Sequence, residues 1–224
     1  MNLPLLASEL PLPRHRLVRI FPAAWEALLA SRADIAREPI VLEWARRSWP
    51  LIVRRPLPAE VGGLALGLPL PPSAGKRRIA VAVSPDDIAS LSALPTLCDV
   101  VSAAPEPWLP CLRELAALAE RYEMQTGIFG SLGWQWLTGL NYLGPESDVD
   151  ITWTPNSPDL VEAFLVDLAG LDARAPMRLD GELLLRSGDG VNWRELYSKS
   201  HHVAVKTAAD VELHYRESFV GALS

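Results

Sequence analysis

Two aspartates separated by one residue, Asp148 and Asp150, are the side chains of this sequence best suited to chemistry. They open the segment Asp148 to Trp153, in which polar and apolar residues alternate as in a β-strand. Side chains two apart on a strand share a face, so both carboxylates should point the same way. Unpaired, they would repel and raise one pKa. Mg²⁺ removes that cost, since it prefers one or two carboxylates together with substrate phosphates. The pair therefore indicates metal-assisted phosphoryl or nucleotidyl transfer.

A Gly-Ser step upstream, Gly130-Ser131, supplies a second element that suits phosphate chemistry. It lies between an apolar run predicted as a buried strand, Thr126 to Phe129, and a Trp- and Leu-rich helix predicted over Leu132 to Leu140. A turn over Asn141 to Glu146 then leads to the aspartates. Backbone N–H groups at such a helix N-terminus can cradle a phosphate. The whole stretch predicts a phosphate nest beside a carboxylate pair.

Gly-Ser followed after a gap by Asp-x-Asp resembles the signature of the DNA polymerase β-like nucleotidyltransferases. That resemblance implies that the Gly-Ser step meets a triphosphate and that the aspartates hold two Mg²⁺ ions. Over nearly its whole length the chain also resembles a narrower family, the malonate decarboxylase holo-acyl-carrier-protein synthases, which are phosphoribosyl-dephospho-coenzyme A transferases. The segments that carry this second resemblance are, in order, RHRLV at 14–18, PLIVRR at 50–55, Gly130-Ser131 with Trp134-Gln135, SDVD at 147–150 and WREL at 193–196.

The resemblance implies a specific reaction. The enzyme would transfer phosphoribosyl-dephospho-CoA from 2′-(5″-triphosphoribosyl)-3′-dephospho-CoA to a serine of the acyl-carrier subunit of malonate decarboxylase, releasing pyrophosphate. Three alternatives stay open. One is an adenylyl- or nucleotidyltransferase acting on another acceptor, and one is the citrate lyase counterpart, with the same donor and a different carrier. The third is a non-catalytic adaptor protein that keeps the nucleotidyltransferase fold.

The expected fold is α+β with two domains. Prolines cluster between Pro95 and Pro110 and place the boundary near Ala104, giving an N-terminal α+β domain over 1–104 and a catalytic domain over 105–224. The catalytic domain should be a nucleotidyltransferase-type mixed sheet flanked by helices, as the resemblance implies. In the first domain, Ser84 as an N-cap followed by Pro85 predicts the start of a helix.

A transferase with two metal ions usually needs a third carboxylate on a neighbouring strand. Asp180 and Glu182 lie two apart in a predicted strand, so both could face the site. Asp180 is preferred, since nucleotidyltransferases commonly take the third acid from a strand after the intervening helix. Solvated acids at the end of a hairpin are the competing interpretation. Glu195 is either a further supporting acid or an ordinary residue of a helix surface.

Cations are also needed to neutralise a triphosphate. Lys206, which closes an apolar strand, and Lys199 are the candidates in the second domain, and either could instead be solvated. Arg54 and Arg55, together with Arg14 and Arg16, form a basic set in the first domain. That set would meet a coenzyme A-like diphosphate or an acidic carrier protein, unless it is a generic solvated face.

Composition narrows the function classes. A formal net charge of −6 over 224 residues argues against a general nucleic-acid surface. Early prolines interrupt the N-terminal apolar run, so no signal peptide is expected, and no stretch approaches the length of a membrane helix. Cys98 and Cys111 lack metal-type spacing and are expected to be free thiols in a reducing cytoplasm.

Overall fold

The computed structural model describes residues 12–57, 60 and 62–223. The chain forms two compact units, Met1–Ala93 and Leu94–Ser224. The proline cluster predicts a later boundary, at Ala104, but the intervening residues are tied to the second unit: the Ile128 N–H donates to the carbonyl of Pro95 at 2.7 Å. Pro4 and Pro11, two of the early prolines that argue against a signal peptide, lie outside the described residues.

The first unit is built on an antiparallel five-stranded sheet in the order β4-β3-β2-β1-β5. Two helices accompany it, and each begins at a proline, which suits a first helical turn because no N–H partner is needed there. The elements are β1 (Leu17–Ile20), α1 (Pro22–Ser31), α2 (Pro39–Arg47), β2 (Leu51–Val53), β3 (Leu64–Pro69), β4 (Arg78–Val83) and β5 (Ile88–Ser92).

Ser84 is an N-cap and Pro85 the first helical residue, as predicted, but the helix that they start is short. Ser84 does accept a hydrogen bond from the Asp86 N–H, and Asp87 completes a capping box, but the cap is succeeded by a single 3-10 turn, Pro85–Asp87. The chain then enters β5, which pairs with β1 and closes the edge of the sheet. A capping box satisfies the first N–H groups of a single turn as well as those of a helix, so the cap alone does not fix the length of the capped element.

The second unit carries a mixed six-stranded sheet in the order β11-β10-β9-β8-β7-β6, in which β7 and β8 are parallel and the other pairs antiparallel. The α+β class and the two-domain arrangement are thereby confirmed. The elements are α3 (Leu97–Val100), α4 (Leu109–Arg121), β6 (Met124–Phe129), α5 (Gly130–Thr138), β7 (Val149–Pro155), α6 (Val161–Asp172), β8 (Leu179–Leu184), β9 (Gly190–Asn192), α7 (Trp193–Tyr197), β10 (His202–Lys206), β11 (Val211–Tyr215) and α8 (Arg216–Gly221).

Alternation along β7 and β8 gives this sheet two different faces. Ile151, Trp153 and Leu183 are fully buried in the core of the unit, where Trp153 packs edge-on against Phe164 of α6 with ring centroids 5.6 Å apart. The residues between them point to the opposite face. Asp150 lies on that second face, so burial on one side fixes the orientation of the acids on the other.

Two further expectations concern the cysteines and the possibility of a membrane-spanning helix. Cys98 and Cys111 are free thiols, as predicted. Across the described part of the chain, none of the helices combines the length and the apolar character needed to span a membrane.

Candidate active site

The acidic centre begins with the register of the two parallel strands. Asp150 of β7 pairs directly with Asp180 of β8, and Phe129, the last residue of β6, pairs with Asp150 from the other side. The two strands are parallel because α6 carries the chain back between them. Strand pairing thus places two acids side by side and brings the start of α5 next to them.

Asp148, just before β7, joins this pair. One carboxylate oxygen from each of Asp148, Asp150 and Asp180 lies within 4.8 Å of the others, and all three residues are partly exposed. Three carboxylates this close repel one another unless a cation lies between them, and oxygen ligands of this kind suit Mg²⁺. The donor set therefore fits a hard divalent cation.

The loop that delivers Asp148 is held by Gln135 of α5. Its side-chain oxygen accepts hydrogen bonds from the N–H groups of Tyr142 and Leu143, at 3.1 and 3.2 Å, and its amide nitrogen donates to the carbonyl of Ala103 at 2.7 Å. Tyr142 is buried, which raises its pKa and keeps it neutral. The Trp134-Gln135 pair noted in the sequence thus includes the residue that fixes this loop.

Gly130 permits the contact between helix α5 and the acidic centre. It has a positive φ of 60°, and a Cβ built there would lie 1.7 Å from Oδ2 of Asp150. No side chain fits in that space. The first turn of α5, with Ser131 as its second residue, therefore begins against the Asp150 carboxylate. That the N–H groups of this turn bind a phosphate stays a prediction.

Asp180 is held by neighbours on its own unit. Its Oδ1 accepts hydrogen bonds from Nδ2 of Asn192 and from the N–H of Gly181, both at 2.9 Å. Its Oδ2 lies 3.4 Å from the exposed guanidinium of Arg178. Sequence reasoning missed Asn192, and its position immediately before the WREL segment was the signal that could have found it.

Glu182, the alternative third acid, has a different partner. It is only 5% exposed, and its Oε1 accepts a hydrogen bond from Nζ of Lys206 at 2.7 Å. Gly190 lies between their strands, where a Cβ would approach Oε2 of Glu182 to 2.9 Å. The structure thus brings Asp180 into the acidic centre and gives Lys206 an ion-pair partner on the same face of the sheet. That Lys206 contacts a phosphate stays a prediction.

The other predicted basic residues lie elsewhere. Lys199 is exposed in a left-handed turn after α7, with φ 55°. In the first unit, Arg54 pairs with Glu60 and donates to the carbonyl of Leu66. The Nε of Arg55 is buried without a hydrogen-bond partner among the described residues. A role for these three in binding coenzyme or carrier stays a prediction.

Glu195, which the sequence left open, has a structural contact. Its Oε2 accepts a hydrogen bond from the N–H of Ala204 at 2.8 Å. Glu195 therefore accepts the hydrogen bond of a β10 N–H group that lies beyond the end of β9.

The second unit thus has a centre of three carboxylates on one face of a mixed sheet, beside a helix that begins at Gly130, the arrangement that the sequence predicts for a metal-dependent transferase. Two family models match the chain: the phosphoribosyl-dephospho-CoA transferase MdcG N-terminal domain over residues 13–93 and the corresponding C-terminal domain over residues 96–217. The chain belongs to this family, which confirms the narrower of the two resemblances seen in the sequence.

Individual relatives agree with this assignment. The chain is 42% identical to the phosphoribosyl-dephospho-CoA transferase of Bradyrhizobium diazoefficiens, over 98% of this chain and 97% of that protein. It is 36% identical to the protein of the same name from Xanthomonas euvesicatoria, over 89% of this chain and 92% of the relative. No solved structure shows significant similarity to the chain.

Proposed function

We propose that this protein transfers phosphoribosyl-dephospho-CoA from 2′-(5″-triphosphoribosyl)-3′-dephospho-CoA to a serine of the apo acyl-carrier subunit of malonate decarboxylase, with release of pyrophosphate. Membership of the transferase family supports the transferred group. The observation that carries the chemistry is the convergence of Asp148, Asp150 and Asp180 within 4.8 Å. The start of α5 at Gly130, in contact with Asp150, adds a phosphate-binding element to them.

The reaction is a displacement at phosphorus. The serine Oγ forms a bond to the α-phosphorus of the triphosphoribosyl group, and the bond from that phosphorus to the oxygen bridging the α- and β-phosphates breaks. Pyrophosphate departs with the electron pair, and the serine proton must be removed. In such reactions the protein contributes mainly positioning and charge stabilisation.

Each residue of the centre has a part in this scheme. Asp148 and Asp150, with Asp180, would hold a two-ion Mg²⁺ site. When bound, Mg²⁺ neutralises charge on the reacting phosphates. The N–H groups at Gly130 and Ser131 orient the departing pyrophosphate at the helix N-terminus. Oδ1 of Asp180 accepts two hydrogen bonds at 2.9 Å, whereas Oδ2 accepts one longer hydrogen bond from Arg178 at 3.4 Å, so Oδ2 is the oxygen that would accept the serine proton.

Intact mass spectrometry of the acceptor tests the proposal. Apo-carrier of malonate decarboxylase is incubated with the protein, Mg²⁺ and the triphosphoribosyl donor, while parallel reactions replace the donor with ATP or the acceptor with the citrate lyase carrier. The expected result is a mass gain equal to the prosthetic group, only with the true donor and most rapidly on the malonate decarboxylase carrier.

Each other outcome points to a different protein. A gain only with ATP would identify an adenylyltransferase, and faster modification of the citrate lyase carrier would reassign the acceptor. No gain with any donor would contradict the transfer and support an adaptor protein with this fold.

A further inference from the structure

Asn192, Trp193 and Arg194, at the junction of β9 and α7, donate side-chain hydrogen bonds to the first two residues of β8. We propose that they are positioning residues that hold the third carboxylate, Asp180, in the acidic centre. The inference rests on the proposed function, because it treats Asp180 as a ligand of that centre. It adds that the orientation of this ligand is set by a hydrogen-bonded clamp from the β9–α7 junction.

The first part of the clamp fixes the backbone just before Asp180. The N–H of Leu179 donates to Oδ1 of Asp172 at 3.1 Å. Its carbonyl accepts two hydrogen bonds, from the indole N–H of Trp193 at 3.0 Å and from Nη2 of Arg194 at 3.1 Å. Leu179 is fully buried, so these side chains satisfy polar groups that water cannot reach. Both backbone groups of the residue preceding the ligand are therefore fixed by side chains.

The second part holds Arg194 itself. Its Nη1 and Nη2 donate to the two carboxylate oxygens of Asp172 at 2.7 and 2.9 Å, the paired geometry that a planar guanidinium favours. The guanidinium also lies over the ring of Trp193, 4.3 Å from its centroid. The hydrogen bond from Arg194 lowers the pKa of Asp172 and keeps that carboxylate ionised. The clamp thus joins the last residue of α6, the start of β8 and the start of α7.

The third part reaches the ligand directly. Oδ1 of Asn192 caps α7 by accepting the N–H of Arg194 at 2.9 Å. Because the oxygen is used there, the amide nitrogen must face the other way, and it donates to Oδ1 of Asp180 at 2.9 Å. The helix cap therefore dictates the orientation of the amide. These hydrogen bonds hold Oδ1 of Asp180 and give a defined direction to Oδ2, which lies 3.4 Å from the exposed guanidinium of Arg178.

A neutral amide suits this role. It fixes the rotamer of a carboxylate without adding charge to a centre that already contains three acids. Hydrogen bonds to metal ligands from residues outside the coordination sphere typically change metal affinity or activity by about 10–100-fold when they are removed. Asn192 is expected to act within that range.

The test substitution is Asn192→Ser in the full-length protein. Serine is also a good N-cap, so the variant keeps the cap on α7 while it removes the amide donor to Asp180. Mn²⁺ is the probe, and its dissociation constant is measured by electron paramagnetic resonance without substrate. The expected result is about 10–100-fold weaker Mn²⁺ binding with an unchanged melting temperature. Turnover of the carrier should lose kcat with KM for the carrier unchanged.

Gln125→Ser is the matched control. It removes an exposed amide of β6, on the same sheet, whose nitrogen donates to Asn156 at 3.2 Å and not to an acid of the centre. Mn²⁺ affinity should not change. Asn192→Thr, which also retains a capping hydroxyl, serves as the second variant if the serine variant folds poorly.

Asp180→Asn separates this inference from the function on which it rests. If Asp180→Asn weakens Mn²⁺ binding and both Asn192 variants bind it normally, the positioning role is overturned while the proposed centre stands. If wild type and Asp180→Asn bind Mn²⁺ equally, Asp180 is not a ligand and the clamp is overturned; if wild type binds none, the metal centre is overturned as well.

Discussion

At the scale of single residues, the acidic centre requires a glycine at position 130, where any side chain would collide with Asp150. Gly130→Ala would place a Cβ 1.7 Å from Oδ2 of Asp150, so the carboxylate or the start of α5 must move. We expect Mn²⁺ affinity and carrier modification to fall by at least about 10-fold, the scale at which disturbed ligand positions are felt. Mn²⁺ titration and the intact-mass assay measure both effects.

Gly139 provides the control for that substitution. It ends the same helix with a positive φ of 72°, but nothing lies within 4 Å of a Cβ built there. Gly139→Ala should cost stability, about 1–2 kcal/mol for a left-handed residue, and leave Mn²⁺ affinity intact. Equal Mn²⁺ affinities for the two alanine variants would contradict the account of Gly130.

Removing one negative charge from the acidic centre should also reduce activity. Asp148→Asn deletes a carboxylate ligand while keeping its size, and we expect carrier modification to fall by more than about 100-fold with folding intact. Glu146→Gln removes an exposed negative charge two positions earlier in the same loop and should stay near wild type. Comparable activity in the two variants would move the site elsewhere.

Some residues of the site were predicted from the sequence, and others were missed. Asp148, Asp150 and Gly130 lie within one continuous segment, so spacing alone suggested their chemistry. Asp180 was chosen from two acids on one strand face by resemblance, and the structure separates them by pairing Asp180 with Asp150 and Glu182 with Lys206. Asn192 was missed, because its place immediately before the WREL segment was the only signal and its contact with Asp180 depends on the path of the chain from β8 through β9 to the start of α7.

At the scale of elements, the sequence predicted strands at β6, β7, β8 and β10 but not which strands lie beside one another. Polar and apolar residues alternate along β7, yet nothing in the sequence pattern states that β7 and β8 are adjacent and parallel. The capping box at Ser84 was predicted correctly but did not specify the length of the helix, since a local signal does not say whether a turn continues as a helix or is followed by a strand. Tertiary pairing decides both questions.

The ion pair between Asp172 and Arg194 joins α6 to α7 and should make stability depend on pH. Hydrogen bonds from Arg194 lower the pKa of Asp172 in the folded protein. The resulting stabilisation is complete above the unfolded pKa of about 3.9 and is lost as the pH falls through the folded pKa. Asp172→Asn should therefore reduce the free energy of unfolding at pH 7, and the difference from wild type should shrink below about pH 4.

Urea unfolding at pH 7, 5 and 3 measures this difference. We expect about 1.5 kcal/mol at pH 7, near the lower end for a charged hydrogen bond, because the Arg194 side chain is 36% exposed and solvent screens it. Asp159→Asn, at an exposed acid ahead of the same helix, should show no such dependence. A difference for Asp172→Asn that is constant from pH 7 to pH 3 would exclude the linkage.

At the scale of the whole molecule, each unit has a sheet of its own, and the acidic centre lies within the second. Its three aspartates, the helix start at Gly130 and the clamp of Asn192 to Arg194 all come from Leu94–Ser224. The proline cluster suggested a boundary near Ala104, since prolines often mark linkers. Here part of that cluster belongs to a packed segment, because α3 places Leu97 and Val100 in the second core.

The position of this boundary makes a testable difference to folding. A fragment of residues 94–224 keeps the whole buried cluster and should fold and bind Mn²⁺ as the full chain does. A fragment of residues 105–224 loses Leu97 and Val100, which are 2% and 0% exposed, and the Pro95 carbonyl that pairs with Ile128. Losing two buried side chains should cost about 3–6 kcal/mol, so the shorter fragment should unfold at much lower urea.

Two substitutions in the longer fragment show whether α3 is the cause. Leu97→Ala should reproduce part of the loss, about 2–5 kcal/mol, because it leaves a cavity in the core. Cys98→Ala, at the exposed neighbour, should have little effect. If the fragments of residues 94–224 and 105–224 were equally stable, α3 would be an accessory to the second unit, and the boundary suggested by the prolines would be the better one.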